Sequence, residues 1–249
     1  MDGIQTLRDN KMNKSELFKA REQRILSAAL TTARSKGALD FRMADVARAA
    51  ECSVGTLYGH FLSKEDMMAA LVQVSLHHRH QWIARLNELD LTPMERFVVL
   101  MVSERIRLSQ DEVLAQLELL VSHTELWRRA ADQRQLALKG MVDELVKALE
   151  AILQDARQQG LLALNDGESA ALVARARALM LGFQLQSSRQ TLAPTPELAE
   201  IPVLMEAIAG LLTSVGLSEG HPDWRNRCVR ALEHWQPQPE PETLEGSAA

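Results

Sequence analysis

The chain has 249 residues, of which 46% are hydrophobic and 4% aromatic, and it carries a formal net charge of −5. Ala and Leu supply most of the apolar content, which favours helices over sheets. The sequence has no uncharged apolar run of about 18 residues, no apolar segment near its start and no CxxC pattern, so we expect a cytoplasmic protein without a membrane span, a signal peptide or a disulfide framework.

The first predicted elements are an arm and a helix. Residues 1–14 are polar and without periodicity, which predicts a flexible arm. A helix is predicted over 15–36, because apolar residues such as Ile25 and Ala29 recur at helical intervals and Gly37 follows as a stop. Charge separates this front from the rest of the chain: residues 1–70 carry 11 basic and 9 acidic side chains, whereas the remainder carries 17 and 24. The sign of this asymmetry fits a front that meets an anionic partner.

The stretch 42–66 predicts two short helices, joined by a tight turn and followed by the start of a third. Apolar residues recur on one face of each short helix, and Ser53 precedes the second as a cap. The two apolar sets are Met43, Val46, Ala47 and Ala50, and then Val54, Leu57 and Phe61. The opposite face of the second helix consists of Ser53, Gly55, Thr56, Tyr58, Gly59 and His60. This carboxylate-free face suits a DNA major groove, although an αα-corner in any helical protein gives the same periodicity.

Four sequence signals carry a resemblance to a known family. Gly37 is followed by DVA over 45–47, SVGTLYGHF over 53–61 and SKED over 63–66. In this order they make residues 24–71 similar to the N-terminal DNA-binding domain of the TetR family of bacterial transcriptional regulators. The SKED run is also a capping box that begins the next helix. The resemblance implies an all-α protein, with a three-helix helix-turn-helix domain followed by a helical ligand-binding and dimerisation domain.

The segment departs from the family pattern at several positions. Ala33 stands where a Phe is usual and Phe41 where a small hydroxyl residue is common, so we expect the Phe41 ring to fill the volume that Ala33 leaves. Glu51 replaces the usual turn Gly, which predicts a mildly strained left-handed conformation. Arg42 stands in place of a Thr or Ser that often touches a phosphate, and we expect its charge to reach the same phosphate.

Beyond residue 66 the pattern is one helix after another. The linking helix runs towards residue 86, and further helices are predicted over 92–109, 111–122, 124–159, 166–190 and 196–215, with a short one after 222. We divide the chain into an arm at 1–14, a DNA-binding domain at 15–66, an effector-binding and dimerisation domain at 67–217, and a short helix with a disordered tail at 218–249.

Two body helices carry stripes suited to pairing. The first stripe is mostly small: Ala171, Ala174, Ala178, Leu181, Gly182 and Leu185. The second is broadly apolar: Leu198, Ile201, Leu204, Met205, Ile208, Leu211, Leu212 and Val215. Small residues let helix axes approach closely, and the resemblance implies that the last two body helices pair across a two-fold axis. We therefore expect a homodimer on a palindromic operator of double-stranded DNA; the alternative is that both stripes are intramolecular core.

Aromatic, Met and sparse polar residues of the body form a candidate effector pocket. They are Trp82, Phe97, Met101, Leu117, Leu120, His123, Trp127, Met141, Met180, Phe183 and Gln184. Such a mixture suits an apolar cavity with a few orienting hydrogen bonds, and the alternative is plain core. The resemblance implies a small-molecule effector, which the sequence does not name.

The sequence predicts DNA-binding residues but no catalytic ones. We expect Ser53, Val54 and Gly55 at base edges, and the predicted phosphate contacts are Arg42, Thr56, Tyr58, His60 and Lys64. No GxSxG, HExxH, P-loop or GxGxxG motif is present, and the His77/His80 pair lacks further ligands, so we expect no enzyme, metal or cofactor. The resemblance implies a repressor released from or retuned on its operator by the effector; the alternative is a helical small-molecule carrier or adaptor without DNA binding.

Overall fold

The computed structural model describes residues 14–188, 201–217 and 221–233, and these ranges contain eleven α-helices and no β-strand. The predicted all-α class is confirmed. The helices are α1 (Lys14–Lys36), α2 (Met43–Ala49), α3 (Val54–Tyr58), α4 (Lys64–Leu86), α5 (Pro93–Gln110), α6 (Glu112–Val121), α7 (Thr124–Trp127), α8 (Asp132–Gln158), α9 (Asp166–Ser188), α10 (Ile201–Thr213) and α11 (Trp224–Glu233). None of these helices combines the length and the hydropathy that crossing a bilayer demands. The predicted arm before Lys14, the predicted tail and Leu198 of the second stripe lie outside the described residues.

The described chain forms two compact units. The first contains residues 14–73 and 116–136, and the second contains 74–115, 137–188, 201–217 and 221–233. The first unit therefore extends past the predicted DNA-binding domain at 15–66, and it also includes a segment more than 40 residues further along the chain.

The first unit encloses a small core between its short helices. α1 packs against α2, and α2 packs against α3. Val46, Leu57 and Phe61 in this core are fully buried. Phe41 and Ala33 are also fully buried, which is consistent with the expected exchange of volume between these two positions. Because Leu57 and Phe61 fix one side of α3 and its C-terminal turn, the opposite side of this helix faces outward.

The second unit is organised around α5, which packs against α9, α10 and α11. Its central residues, Phe97 to Val102, are at most 1% exposed. The N-terminus of α5 carries a complete capping box, in which Thr92 Oγ1 accepts from the Glu95 N–H and the Glu95 carboxylate accepts from the Thr92 N–H. Glu95 is fully buried and also accepts from Arg227 Nε of α11 at 2.8 Å, so a charge-assisted hydrogen bond holds α11 on α5.

A second charged cluster lies inside this unit. Glu104 accepts hydrogen bonds from Arg79 Nε at 2.8 Å and from Arg107 Nη2 at 3.2 Å. Burial alone would raise the pKa of the Glu104 carboxyl, but the charges and hydrogen bonds of Arg79 and Arg107 outweigh burial and lower that pKa to about 2. Glu104 is therefore ionised within the core, and it is stabilised there by the two guanidinium groups.

The long helix predicted over 124–159 is wrong, because the structure has two helices there. α7 ends at Trp127, α8 begins at Asp132, and the intervening residues form a turn. The backbone of this turn hydrogen-bonds to side chains of α4 and its cap: the Ala131 N–H donates to Asp66 Oδ1 and the Arg129 carbonyl accepts from Ser63 Oγ, both at 2.9 Å. These tertiary hydrogen bonds replace the bonds that a continuous helix would make.

The two predicted stripes differ in burial. Every member of the α9 stripe is exposed, whereas Leu172, Val173 and Ala176 on the other side of α9 are buried. The α10 stripe is split between two faces. Its buried members are Leu204, Met205, Ile208 and Leu212, which belong to the core of their own unit, so for these four the expectation of an intersubunit contact was wrong. Elsewhere on α10, Val203, Ala207 and Leu211 are partly buried and pack against the same core, and Gly210 is exposed.

Candidate nucleic-acid interface

The turn between α2 and α3 adopts the conformation expected from the sequence. Glu51 has φ 52°, the only positive φ of a non-glycine residue in the described ranges, and this confirms the predicted left-handed turn residue. The Cys52 N–H donates to the Ala47 carbonyl at 2.9 Å, which ties the turn to the end of α2. A turn of this kind sets two short helices at an angle, as in helix-turn-helix motifs.

α3 begins with a side-chain cap. Ser53 is extended at φ −73° and ψ 152°, and its Oγ accepts from the Thr56 N–H at 2.9 Å. Ser53 Oγ also lies 2.8 Å from Thr56 Oγ1, so the two hydroxyl groups share a hydrogen bond. With Leu57 buried beneath it, this cap stabilises a helix of only five residues that would not persist by itself.

The outward side of α3 presents small and aromatic groups. Val54 is 43% exposed and Tyr58 is 49% exposed, while Ser53 and Gly55 are exposed beside them. A Cβ added to Gly55 would lie 3.7 Å from Ser53 Oγ, an ordinary contact, so the fold itself does not require glycine at this position. The absence of a side chain there instead leaves the backbone open to close approach by a partner.

Arg42 and Lys64, the two predicted cationic phosphate contacts, have different surroundings. Arg42 is exposed at the position preceding α2. Lys64 Nζ donates to the Leu39 carbonyl at 2.5 Å and lies 4.4 Å from the centre of the Phe41 ring. Burial is the largest influence on Lys64 and lowers its pKa. In the free protein Lys64 therefore holds the loop between α1 and α2.

His60 differs from the other predicted contacts, because its side chain is only 3% exposed. Its ring stacks on Phe18 of α1 with the ring centres 4.0 Å apart, and Nδ1 lies 3.5 Å from Glu22 Oε2. Because it is buried, the His60 side chain does not belong to the outward side of α3. The apolar spacing also placed Val54 on the buried face with Leu57 and Phe61, and this is wrong because Val54 is 43% exposed. No local sequence signal indicates that α1 covers His60.

Asp45, the acidic residue of α2, is paired with basic side chains. Asp45 in the first turn of α2 forms a salt bridge with Lys36 at 2.7 Å, and the hydrogen bond from Lys36 lowers the pKa of this carboxyl. Arg48 lies 3.6 Å from the same carboxylate, and its side chain is 81% exposed. Arg48 is an exposed cation on α2 that the periodicity of the apolar residues did not single out.

The predicted effector residues are divided between the two units. Leu117, Leu120, His123 and Trp127 belong to the first unit, whereas the other seven belong to the second. Within the second unit, Trp82 donates to Ser103 Oγ at 2.9 Å and Gln184 donates to the Ala115 carbonyl at 3.4 Å.

Two cavities of the second unit are lined by other residues. One, of about 90 Å³, lies among Ile83, Leu86, Asn87, Arg96, Leu100, Ala148, Ala151 and Ile152. The other is a wider groove of about 510 Å³ beside α10 and the start of α11. In the described part of the chain no group of three or more His, Cys, Asp or Glu side chains is arranged to hold a metal ion.

Comparison with known proteins places this geometry in context. Residues 25–71 match the family model of bacterial regulatory proteins, tetR family. The matched range includes the second half of α1, all of α2 and α3, and the first turns of α4. No curated protein matches the chain.

Solved structures share the fold at low sequence identity. SmeT, the repressor of the Stenotrophomonas maltophilia multidrug efflux pump SmeDEF, is similar with a TM-score of 0.56 and 23% identity over 78% of this chain and 89% of its own. A putative TetR-family regulator from Syntrophomonas wolfei has a TM-score of 0.60 and 18% identity over 78% of this chain and 96% of its own. RolR in complex with resorcinol has a TM-score of 0.57 and 16% identity over 91% and 99%.

The sequence match over residues 25–71 and the structural similarity are separate comparisons, and both point to TetR-type regulators. The match lies on the helix-turn-helix unit whose cap, turn and outward face are described above. The structural likeness extends over three quarters or more of the chain and includes the helical body. The described part of the chain therefore shares its fold with solved TetR-family regulators, and its residues 25–71 match the family model of bacterial regulatory proteins, tetR family.

Proposed function

We propose that this chain is a homodimeric repressor that inserts α3 into the major groove of a palindromic operator and responds to a small-molecule effector. The observation that carries the proposal is the outward side of α3, which is exposed, free of carboxylates and fixed from behind by Leu57 and Phe61. A rigid helix with this face meets the steric and electrostatic demands of a DNA groove. No feature of the described residues supports an enzymatic reaction instead.

We assign the exposed residues of this surface either to base edges or to phosphates of the DNA. Ser53, Val54 and Gly55 at the start of α3 face base edges, because the N-terminal residues of a recognition helix enter the groove first. Val54 offers an apolar contact to a thymine methyl group, and Gly55 lets the backbone come close. Contacts with phosphates position the protein on the DNA backbone, and we assign these contacts to Arg42, Thr56, Tyr58 and Lys64.

For Lys64 the phosphate contact requires a rearrangement, because its ammonium group donates to the Leu39 carbonyl in the free protein. A phosphate oxygen would replace this neutral acceptor by a charged one, which makes a stronger hydrogen bond. The buried His60 side chain is left out of the proposed contacts.

Dimerisation is supported by the burial pattern of α9 and α10. The α9 stripe places small and apolar side chains in solvent, including Leu181 at 48% and Leu185 at 39% exposure. On α10, Gly210 is exposed and adds a further small residue. An apolar helix face of this kind is stabilised by pairing with a second copy, which would also present two α3 helices about one turn of DNA apart.

Effector binding is the least localised part of the proposal. Five of the predicted pocket residues in the second unit are buried: Trp82, Met101, Met180, Phe183 and Gln184. The cavity of about 90 Å³ in this unit is lined by none of them and is smaller than the few hundred Å³ typical of ligand sites. An effector would therefore have to open this core. SmeT is a repressor and RolR binds resorcinol, which supports a ligand-responsive role for this chain.

The alternative, a helical carrier or adaptor without DNA binding, is tested by selection of DNA. The full-length protein is incubated with random-sequence duplexes, and bound DNA is recovered, sequenced and used in mobility-shift titrations. We expect an enriched palindrome with two half-sites. Val54→Glu and Tyr58→Glu, both at exposed positions, should abolish this enrichment while the far-UV circular dichroism is unchanged. Failure of the wild-type protein to enrich any sequence would reject the repressor in favour of the carrier.

A further inference from the structure

Asp66 is a buried carboxylate that joins distant parts of the first unit. It is 1% exposed, and its Oδ2 accepts from the Leu62 N–H at 2.9 Å in the loop that follows α3. Its Oδ1 accepts from the Ala131 N–H at 2.9 Å and lies 3.1 Å from Arg134 Nε. One side chain in the first turn of α4 thus contacts both the exit of α3 and the start of α8.

Arg134 continues this connection to α1 and to the end of α3. Its Nη2 donates to Glu22 Oε1 at 2.9 Å and to the His60 carbonyl at 3.3 Å. Its guanidinium carbon lies 4.8 Å above the centre of the Phe61 ring. The side chain is only 16% exposed, so these polar contacts are largely shielded from water. A planar guanidinium can hold this number of partners in fixed directions, whereas an ammonium cannot.

We infer that Arg134 is a positioning residue for DNA binding: it fixes the C-terminal end of α3 relative to α1 and α4 without contacting DNA. The inference rests on the proposed function, since it assigns the recognition role to α3. It follows from the hydrogen bond to the His60 carbonyl and the stacking on Phe61, which act on the two residues where α3 passes into the loop. The orientation of α3 then depends on α8, whose first turn carries Arg134.

We call the contacts of Arg134 with Glu22, Asp66, the His60 carbonyl and the Phe61 ring the Arg134 clamp. Its strength comes from opposite charges that are largely shielded from water. Glu22 and Asp66 are both within salt-bridge distance of Arg134, and removal of the guanidinium would leave the buried Asp66 carboxylate with neutral donors only. Opening such a pair is costly, so the first turn of α8 and the exit of α3 are expected to move together. Sequence reasoning identified Asp66 in its capping box but not Arg134, which lies 68 residues further along the chain.

The test compares Arg134→Met with Arg134→Lys and with Arg128→Met. Arg128 is a matched control, because it lies in the same segment, is 73% exposed and pairs only weakly, at 3.8 Å, with Glu125. Two affinities are measured for each variant: one for the duplex that the wild-type protein selects, and one for a scrambled duplex of equal length. Amide hydrogen exchange of residues 54–61 is followed in the free protein, and thermal unfolding reports global stability.

We expect Arg134→Met to lose roughly tenfold in affinity for the selected duplex, with little change on the scrambled one, and to exchange faster over 54–61. Arg134→Lys keeps the positive charge but loses the planar guanidinium, so it should show a smaller loss of affinity. If Arg134→Met does not fold, Arg134→Lys is used in its place. Arg128→Met should behave as wild type. An equal loss on both duplexes, or no loss, would overturn the inference.

The two hypotheses fail separately. If the wild-type protein selects no duplex, the repressor proposal fails, but exchange over 54–61 still decides whether Arg134 holds α3. Unchanged amide hydrogen exchange over residues 54–61 in both Arg134 variants would then overturn the inference that Arg134 fixes α3.

Discussion

Among the residues that the sequence predicts as phosphate contacts, the structure separates exposed side chains from side chains that already have partners in the protein. Arg42 is exposed before α2, whereas Lys64 is bound to the Leu39 carbonyl and lies over the Phe41 ring. His60 is buried under Phe18. The contribution of each to DNA affinity should therefore differ.

Arg42→Gln should weaken binding to every duplex and reduce its dependence on salt. Loss of one phosphate contact reduces the magnitude of the slope of log K against log salt by about 0.9. A dimer carries two copies of Arg42, so we expect a reduction of about twice this value. The measurement is a series of affinities between low and moderate salt. Arg128→Gln, a change at another exposed arginine of the same unit, should leave the slope unaltered. A slope that Arg42→Gln does not change would refute the phosphate contact.

Glu104 gives the second unit a stability that depends on pH. Because its folded-state pKa of about 2 lies below the ordinary value of 4.5, the ionised group stabilises the fold fully above pH 4.5, and this stabilisation is lost as the pH falls towards 2. Glu104→Gln should cost roughly 3 kcal/mol in the free energy of unfolding at pH 7, and the difference from wild type should shrink by roughly 2 kcal/mol at pH 3.

Urea denaturation at the two pH values measures this effect. Glu125→Gln is the control, since its carboxylate is 68% exposed and its loss should have little effect at either pH. A Glu104→Gln deficit that stays constant between pH 7 and pH 3 would contradict the role assigned to the two arginines.

At the scale of elements, the helix-turn-helix unit was predictable because its signals are local. The cap at Ser53, the apolar spacing of Leu57 and Phe61, and the strained turn residue Glu51 lie within a few residues of the structure that each one determines. The break between α7 and α8 was not predictable, because it depends on hydrogen bonds from Ser63 and to Asp66, about 65 residues away. The burial of His60 by α1 has the same non-local origin.

The Ser53 cap allows the stability of α3 to be separated from its DNA contacts. Ser53→Ala should cost about 1 kcal/mol in the free energy of unfolding, because the Thr56 N–H loses its acceptor. Ser53→Asp should keep the cap and the stability, yet weaken DNA binding through repulsion of phosphates. Urea denaturation and mobility-shift titration measure the two effects. Tight operator binding by Ser53→Asp would show that the start of α3 lies outside the groove.

At the scale of the whole molecule, the two stripes predicted to pair differ: the α9 stripe is exposed, whereas the α10 stripe was too broad to belong to one face. Leu204, Met205, Ile208 and Leu212 of α10 pack in the core of their own unit, where α10 contacts α5 and α9. Truncation before α10 would remove this core and would not test dimerisation by itself. A point substitution on the exposed face of α9 is the sharper probe.

Gly182→Glu should convert the dimer to a monomer and reduce operator affinity. A Cβ at Gly182 meets no atom within 4 Å in its own subunit, so the side chain is tolerated there, and the charge is harmful only if a second copy covers the stripe. Gly140→Glu is the matched control, because Gly140 is also an exposed glycine within a helix and its Cβ position is equally open. Sedimentation velocity measures the outcome. A Gly182→Glu protein that remains a dimer would place the subunit interface elsewhere on the molecule.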